Sequence, residues 1–152
     1  MSEMKIAVAS DHGGFNLKNK IKKYLQSNGY EIFDFGTDSA ERCDYPDFAL
    51  PAAEAVASGK CDRGIIICTT GIGVSIVANK VPHVRCALCQ DEYCAELTRR
   101  HNDANVLAMG EKVVEEGNAL KLVDIFLKTE FEGGVHQRRV EKITAVEKKY
   151  GK

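Results

Sequence analysis

No stretch of this 152-residue chain approaches the roughly 20 consecutive apolar residues that a membrane-spanning helix needs. Nor is there an excess of charge of either sign. Its 21 Lys and Arg against 22 Asp and Glu leave a formal net charge of −1, which argues against a general affinity for nucleic acid. The opening residues MSEMKIAVAS lack the basic region, apolar stretch and small-residue cleavage site of a secretory leader, so a cytoplasmic protein is expected. Internal repeats, low-complexity tracts and interdomain linkers are also missing. A chain of this length fills one good core but not two, so one domain over 1–152 is expected.

Cysteine, by contrast, is well represented: Cys43, Cys61, Cys68, Cys86, Cys89 and Cys94. Without a leader these read as reduced thiols rather than a disulfide framework. Cys86 and Cys89 form a CxxC, but VRCALCQ reads as a buried strand whose alternation sends the two side chains to opposite faces. No second CxxC or His pair completes a tetrahedral set, so neither a metal nor another cofactor is expected.

The chain alternates strand and helix signals. KIAVAS (5–10) is a short apolar run, and FNLKNKIKKYLQSNG (15–29) then sets Phe15, Leu17, Ile21, Tyr24 and Leu25 near one helical face. YEIFDFG (30–36) alternates as a strand, and Pro46 suits the first turn of a helix running to about Ser58. RGIIICT (63–69) is a continuous β-branched run of the kind buried on both faces of a parallel sheet. Helix signals follow over 74–80, 91–102, 115–129 and 136–150, with strands over 85–90 and 105–110. Five strands alternating with helices predict a three-layer α/β/α sandwich around a five-stranded parallel, Rossmann-like sheet. Such sheets bind ligands beyond the carboxyl ends of their strands, which nominates Asp11, His12, residues 68–73, Asp91 and Gly110.

CTTGIGVS (68–75), which ends the most apolar run, fits none of three phosphate-binding loops. A dinucleotide fingerprint starting at Gly71 requires glycine at 76, where Ile76 stands, and no GK[ST] completes a Walker loop. A cysteine-phosphatase loop requires arginine six residues after Cys68, where Val74 stands. What survives is a thiol beside glycine-permitted turns and the amide N–H groups of a helix start. That arrangement suits either acyl transfer with Cys68 as nucleophile or proton abstraction beside a carbonyl with Cys68 as base. Spacing alone leaves open a third reading, in which Cys68 is a small apolar residue closing a strand. Asp11-His12, His101-Asn102, and His136, Arg138 and Arg139 at the start of the last helix add polar groups that together suit a small anion carrying a carbonyl.

The segments VASDHGGFNLK, DYPDFA, IIICTTGIGVSIVANKVPHVRCAL, RRHNDANVLAMGEKVV and EGGVHQRRV resemble, in order and over nearly the whole chain, the type B ribose-5-phosphate isomerases. Relatives of that family act on allose and galactose 6-phosphates. The resemblance implies a metal-free aldose-ketose isomerase working through an enediolate, at least dimeric, with its site between subunits and helix 136–150 at the interface. It implies Cys68 as the base, and Thr70 with the amides of Thr69, Thr70, Gly71, Ile72 and Gly73 around the enediolate oxygens. Asp11 and Tyr45 would line the sugar, His12, Lys112 and Arg139 would hold phosphate, and His101 with Asn102 would open the furanose ring. Some members carry glutamate where Val74 stands, which here leaves Cys68 as the base.

Three positions depart from the family pattern: Thr69 stands for glycine, Lys112 for arginine, and Val135 for an arginine that contacts phosphate. The last change would cost roughly 1.5–3 kcal/mol of phosphate binding unless another cation compensates. The resemblance therefore implies ribose 5-phosphate as substrate, a hexose 6-phosphate such as allose or galactose 6-phosphate as the alternative, and a homodimer or homotetramer. A thiol acyl-transferase or hydrolase and a non-catalytic sugar-phosphate binding protein are the readings of other classes.

Overall fold

A computed structural model describes residues 4–151. In chain order the elements are β1 (Lys5–Ser10), α1 (Phe15–Ser27), β2 (Glu31–Asp34), α2 (Pro46–Ala57), β3 (Arg63–Cys68), α3 (Ile72–Ala78), β4 (Cys86–Leu88), α4 (Glu92–Asn102), β5 (Val106–Gly110), α5 (Glu116–Lys128) and α6 (Val135–Tyr150). A 3-10 turn, His12–Gly14, joins β1 to α1. The strands form one parallel sheet in the order β2-β1-β3-β5-β4. From β1 the chain steps outward to β2 and then crosses back past β1 to β3. The gap between the carboxyl ends of β1 and β3 is therefore the switch point where such sheets bind ligands.

Side-chain alternation divides the core in two. Ile6, Val8, Ile65, Ile67, Leu107 and Met109 face α1 and α5, with Leu17, Ile21, Leu25, Leu122 and Phe126 buried against them. Ala7, Ala9, Ile66, Cys68, Val106 and Ala108 face the other way, toward α2 and α3. The alanines of this second face meet the alanine-rich sequence of α2, so helix and sheet approach closely with small side chains on both sides. Ile65, Ile66 and Ile67 are all fully buried, each worth on the order of 2 kcal/mol of apolar burial, which is why the unbroken run forms the central strand. The outermost helix, α6, rests on α4 and has only Val140 buried among its described residues.

The expected three-layer α/β/α fold is what forms, with two local differences. The segment around Cys86 is not a strand buried on both faces: β4 is a three-residue edge strand, with Cys86 and Ala87 half-buried and Leu88 exposed. Its alternation still sends Cys86 toward the α2/α3 face and Cys89 into the opposite core. Burial raises the Cys86 thiol well above its ordinary range, and burial followed by the nearby Cys94 and Asp91 pushes Cys89 up to about 12. Neither readily becomes a thiolate ligand. The second difference is that α3 begins at Ile72 rather than Val74. Gly71 caps it at φ 82°, a left-handed conformation that glycine adopts without strain and that starts the helix two residues early.

One buried charge braces the lip of the switch point. Lys18, 1% exposed, donates to Asp34 Oδ1 at 2.8 Å and to the Thr37 carbonyl at 2.6 Å. Burial acts to raise the Asp34 carboxyl, but hydrogen bonds from Lys18, the Gly36 amide and Lys22 outweigh it and hold it below its ordinary range. The pair fixes the start of the loop that leads to Cys43 and Tyr45.

Candidate active site

At the switch point β3 ends in Cys68, which is 5% exposed. Beyond it the chain must turn sharply, and the turn aims the Gly71 N–H at Cys68 Sγ at 3.1 Å. A side chain at Gly71 would strike the Met109 backbone, so glycine serves both the positive φ and the close approach. Thr70 Oγ1 accepts from the Ile72 amide at 3.2 Å. Two of the five amides expected around an anion, those of Gly71 and Ile72, are thus already engaged, one on the sulfur itself.

Neighbouring strands hold this loop from both sides. The Glu111 and Lys112 amides, just past β5, donate to the Cys68 and Thr69 carbonyls at 2.9 and 3.1 Å. Gln90 bridges the two segments, donating to the Thr70 carbonyl at 3.1 Å and accepting from the Gly110 amide at 2.9 Å. Gln90 carried no motif in the sequence. Its position just beyond β4, one residue before the helix-capping Asp91, is the signal that the strand-end rule offered.

From the β1 side come Asp11 and His12. Asp11 is buried, and its Oδ1 accepts from the Gly13 amide at 2.9 Å, which caps the 3-10 turn. Gly13 lies so close to Thr69 that an added Cβ would collide with the Thr69 hydroxyl, so Asp11, Gly13 and Thr69 are immediate neighbours. His12 Nδ1 accepts from the Cys43 amide at 3.2 Å, which assigns the proton of the neutral ring to Nε2 and leaves that edge as an outward donor. Tyr45 leans over the helix start, where an added Cβ on Gly73 would meet its ring. Cys68, Thr69, Thr70, Gly71, Ile72, Gly73, Asp11, His12, Tyr45 and the Lys112 backbone therefore converge.

His101, Asn102 and Arg139 do not join them within one chain. α4 leaves the carboxyl end of β4 and returns to the amino end of β5, so His101 and Asn102 lie at the opposite sheet edge from Cys68. Arg85, immediately before β4, donates to the Asn102 carbonyl at 3.1 Å, whereas Cys68 pairs with Gly110 at the far end of β5. Four residue steps along β5 separate the two edges by roughly 13 Å. His101 stacks on His136 of α6, ring centroids 4.1 Å apart and planes 8° from parallel. Arg139 and Val135 are exposed on the same end of α6. The chain thus carries two separate constellations: a thiol with a carboxylate and amides at one edge, and imidazoles with a guanidinium at the other.

A thiol, a carboxylate and loop amides gathered at the switch point of a doubly wound α/β sheet are the chemical groups of an enzyme site for a small polar molecule. The chain belongs to the ribose/galactose isomerase family, which matches residues 6–143, and it is an isomerase. It is 50% identical to ribose-5-phosphate isomerase B of Escherichia coli over 95% of this chain and 97% of that one. The solved structure of ribose-5-phosphate isomerase B from Clostridium thermocellum superposes with a TM-score of 0.96 at 58% identity, covering 97% of this chain and all of the other. That of Mycoplasma genitalium, solved with bound ribulose 5-phosphate, superposes at 0.93 with 43% identity, covering 97% and 99%.

Proposed function

We propose that this protein interconverts ribose 5-phosphate and ribulose 5-phosphate through an enediolate, with Cys68 as the base. The observation that carries the reading is the Gly71 N–H on Cys68 Sγ, a donor aimed at sulfur at the switch point of the sheet. The Cys68 thiolate takes the proton from C2 of the open-chain aldose. The C2–H electron pair becomes the C1–C2 double bond and the C1 carbonyl becomes the enediolate oxygen. The proton on sulfur returns to C1 on the electron pair of the C1–C2 double bond, while the C2 hydroxyl proton passes to the C1 oxygen, leaving a hydroxyl on C1 and the ketose carbonyl at C2. Thr70 and the loop amides not engaged with Cys68 or Thr70 hold the developing charge, and Asp11 and Tyr45 position the hydroxyls.

The phosphate falls to His12, Lys112 and Arg139, and opening of the furanose ring falls to His101 with Asn102. Because His101, Asn102 and Arg139 stand at the opposite edge from Cys68, we assign them to the partner's site in a dimer or tetramer. The exposed Ile143 and Val146 of α6, beside a groove of about 550 Å³ lined by Val84, Cys86 and Ala87, support α6 as part of the subunit contact. Thr69 adds bulk where the family carries glycine, which favours a five-carbon sugar over a hexose 6-phosphate. Six free cysteines suit a reducing compartment, in keeping with a cytoplasmic enzyme working as one domain.

Ribose 5-phosphate incubated with the enzyme in deuterated water should give ketose carrying solvent deuterium at C1. Cys68→Ala should lower kcat by about 10²–10⁴ with an unchanged circular dichroism spectrum. Turnover by that variant within tenfold of wild type removes Cys68 as base. Faster turnover of allose or galactose 6-phosphate reassigns the substrate. A trapped acyl-Cys68 would favour acyl transfer, and tight binding without turnover would leave a sugar-phosphate binding protein.

A further inference from the structure

Behind the stacked imidazoles stands a carboxylate that the proposed reaction does not use. Glu132 Oε2 accepts from Arg100 Nη1 at 3.2 Å, and the Glu132 amide donates to the Arg100 carbonyl at 3.1 Å, so the side chain is held at both ends. Its other oxygen, Oε1, lies 3.5 Å from His136 Nε2 and 4.0 Å from His101 Nε2. Both separations are longer than the roughly 2.7–3.2 Å of a tight hydrogen bond, so the rings meet the carboxylate only as loose ion pairs when they are protonated. Three ligand atoms, one from each residue, lie within 4.8 Å of one another. Zn–N and Zn–O bonds of about 2.1 Å place tetrahedral ligand atoms about 3.4 Å apart, so binding requires the stacked His101 and His136 rings to turn out of parallel and bring a nitrogen of each toward Glu132 Oε1. Two imidazoles and a carboxylate match the preference of Zn2+, and the carboxylate already has the hydrogen-bonded support that metal-binding carboxylates carry.

We propose that His101, Glu132 and His136 form a site for a divalent cation of the Zn2+ class, and that its occupancy inhibits the isomerase by holding His101 away from the sugar. The inhibitory part rests on the reading of His101 as the ring-opening group. Three protein ligands leave the fourth position to water. The cation is not a cofactor of the reaction: it ties up the imidazole nitrogen that the furanose oxygen needs.

Calorimetric titration of the metal-free, full-length protein with ZnCl2 should show one saturable equivalent per chain, and Co2+ in its place should give the absorption of a tetrahedral centre. Glu132→Gln should weaken binding by at least tenfold, and His136→Ala should do the same. Turnover of furanose ribose 5-phosphate should be inhibited by Zn2+ in the wild type. In Glu132→Gln, which keeps its basal rate, that inhibition should be lost. Absence of saturable binding overturns the site, and undiminished binding in both variants overturns it by placing the metal elsewhere, on the thiols. Saturable binding without inhibition overturns the regulatory role. Because binding is read without substrate, these failures are distinct from a failure to turn over ribose 5-phosphate, which would strike the proposed function instead.

Discussion

Cys68 ends the most apolar strand of the chain and belongs to the α2/α3 face of the core as much as to the site. That dual membership is why spacing alone left its role open between a reactive thiol and a small strand residue. The feature on which the proposal of a base rests, the Gly71 N–H on Sγ, depends on a φ of 82° at Gly71, and no pattern of residue types encodes a hydrogen bond. Gln90, which holds backbone on both sides, has only its place beyond a strand end as a signal, for the same reason. At this scale the exposed Val135 makes its own prediction. Val135→Arg restores a guanidinium beside Arg139, and one charge-assisted bond of roughly 1.5–3 kcal/mol should lower KM by about tenfold or more. Arg139→Ala should chiefly raise KM, because phosphate is a handle remote from the reacting carbons. Initial rates over a range of ribose 5-phosphate concentrations check both. An unchanged KM in each would remove this end of α6 from the phosphate site.

Among the elements, the alternating strands and helices were readable because their periods differ and because Gly and Pro mark the breaks. The errors fell where packing decides. Whether VRCALCQ is central or at an edge depends on the strand order 2-1-3-5-4, which its own residues do not carry. The start of α3 depends on Gly71, and Gly71→Ala would force a Cβ against the Met109 backbone at a positive φ. That substitution should destabilise the fold by about 2 kcal/mol in urea unfolding, combining overpacking with backbone strain. Lys18 and Asp34 give a second test. The folded-state carboxyl of Asp34 lies below its unfolded value, so its contribution is present above about pH 4 and is lost as pH falls through the folded value. Asp34→Asn should therefore flatten the acid limb of the stability curve below about pH 4. An unaltered limb in the variant would show that other carboxylates carry it.

At the scale of the molecule, the sheet sets the terms. Its switch point gathers Asp11, His12 and the 68–73 loop at one edge, while the return of α4 to the start of β5 carries His101 and Asn102 to the other. The sequence showed both sets of residues, but the distance between them is a property of the assembled sheet. The central claim is that two incomplete halves, one from each of two subunits, make one site. Mixing Cys68→Ala with His101→Ala under conditions that exchange subunits tests it directly, with furanose ribose 5-phosphate as substrate. Random reassortment makes half of the dimers mixed, each with one site that keeps both Cys68 and His101, so activity should rise to about a quarter of wild type. Activity that never exceeds the average of the two separate variants would place Cys68 and His101 in different sites and contradict the account.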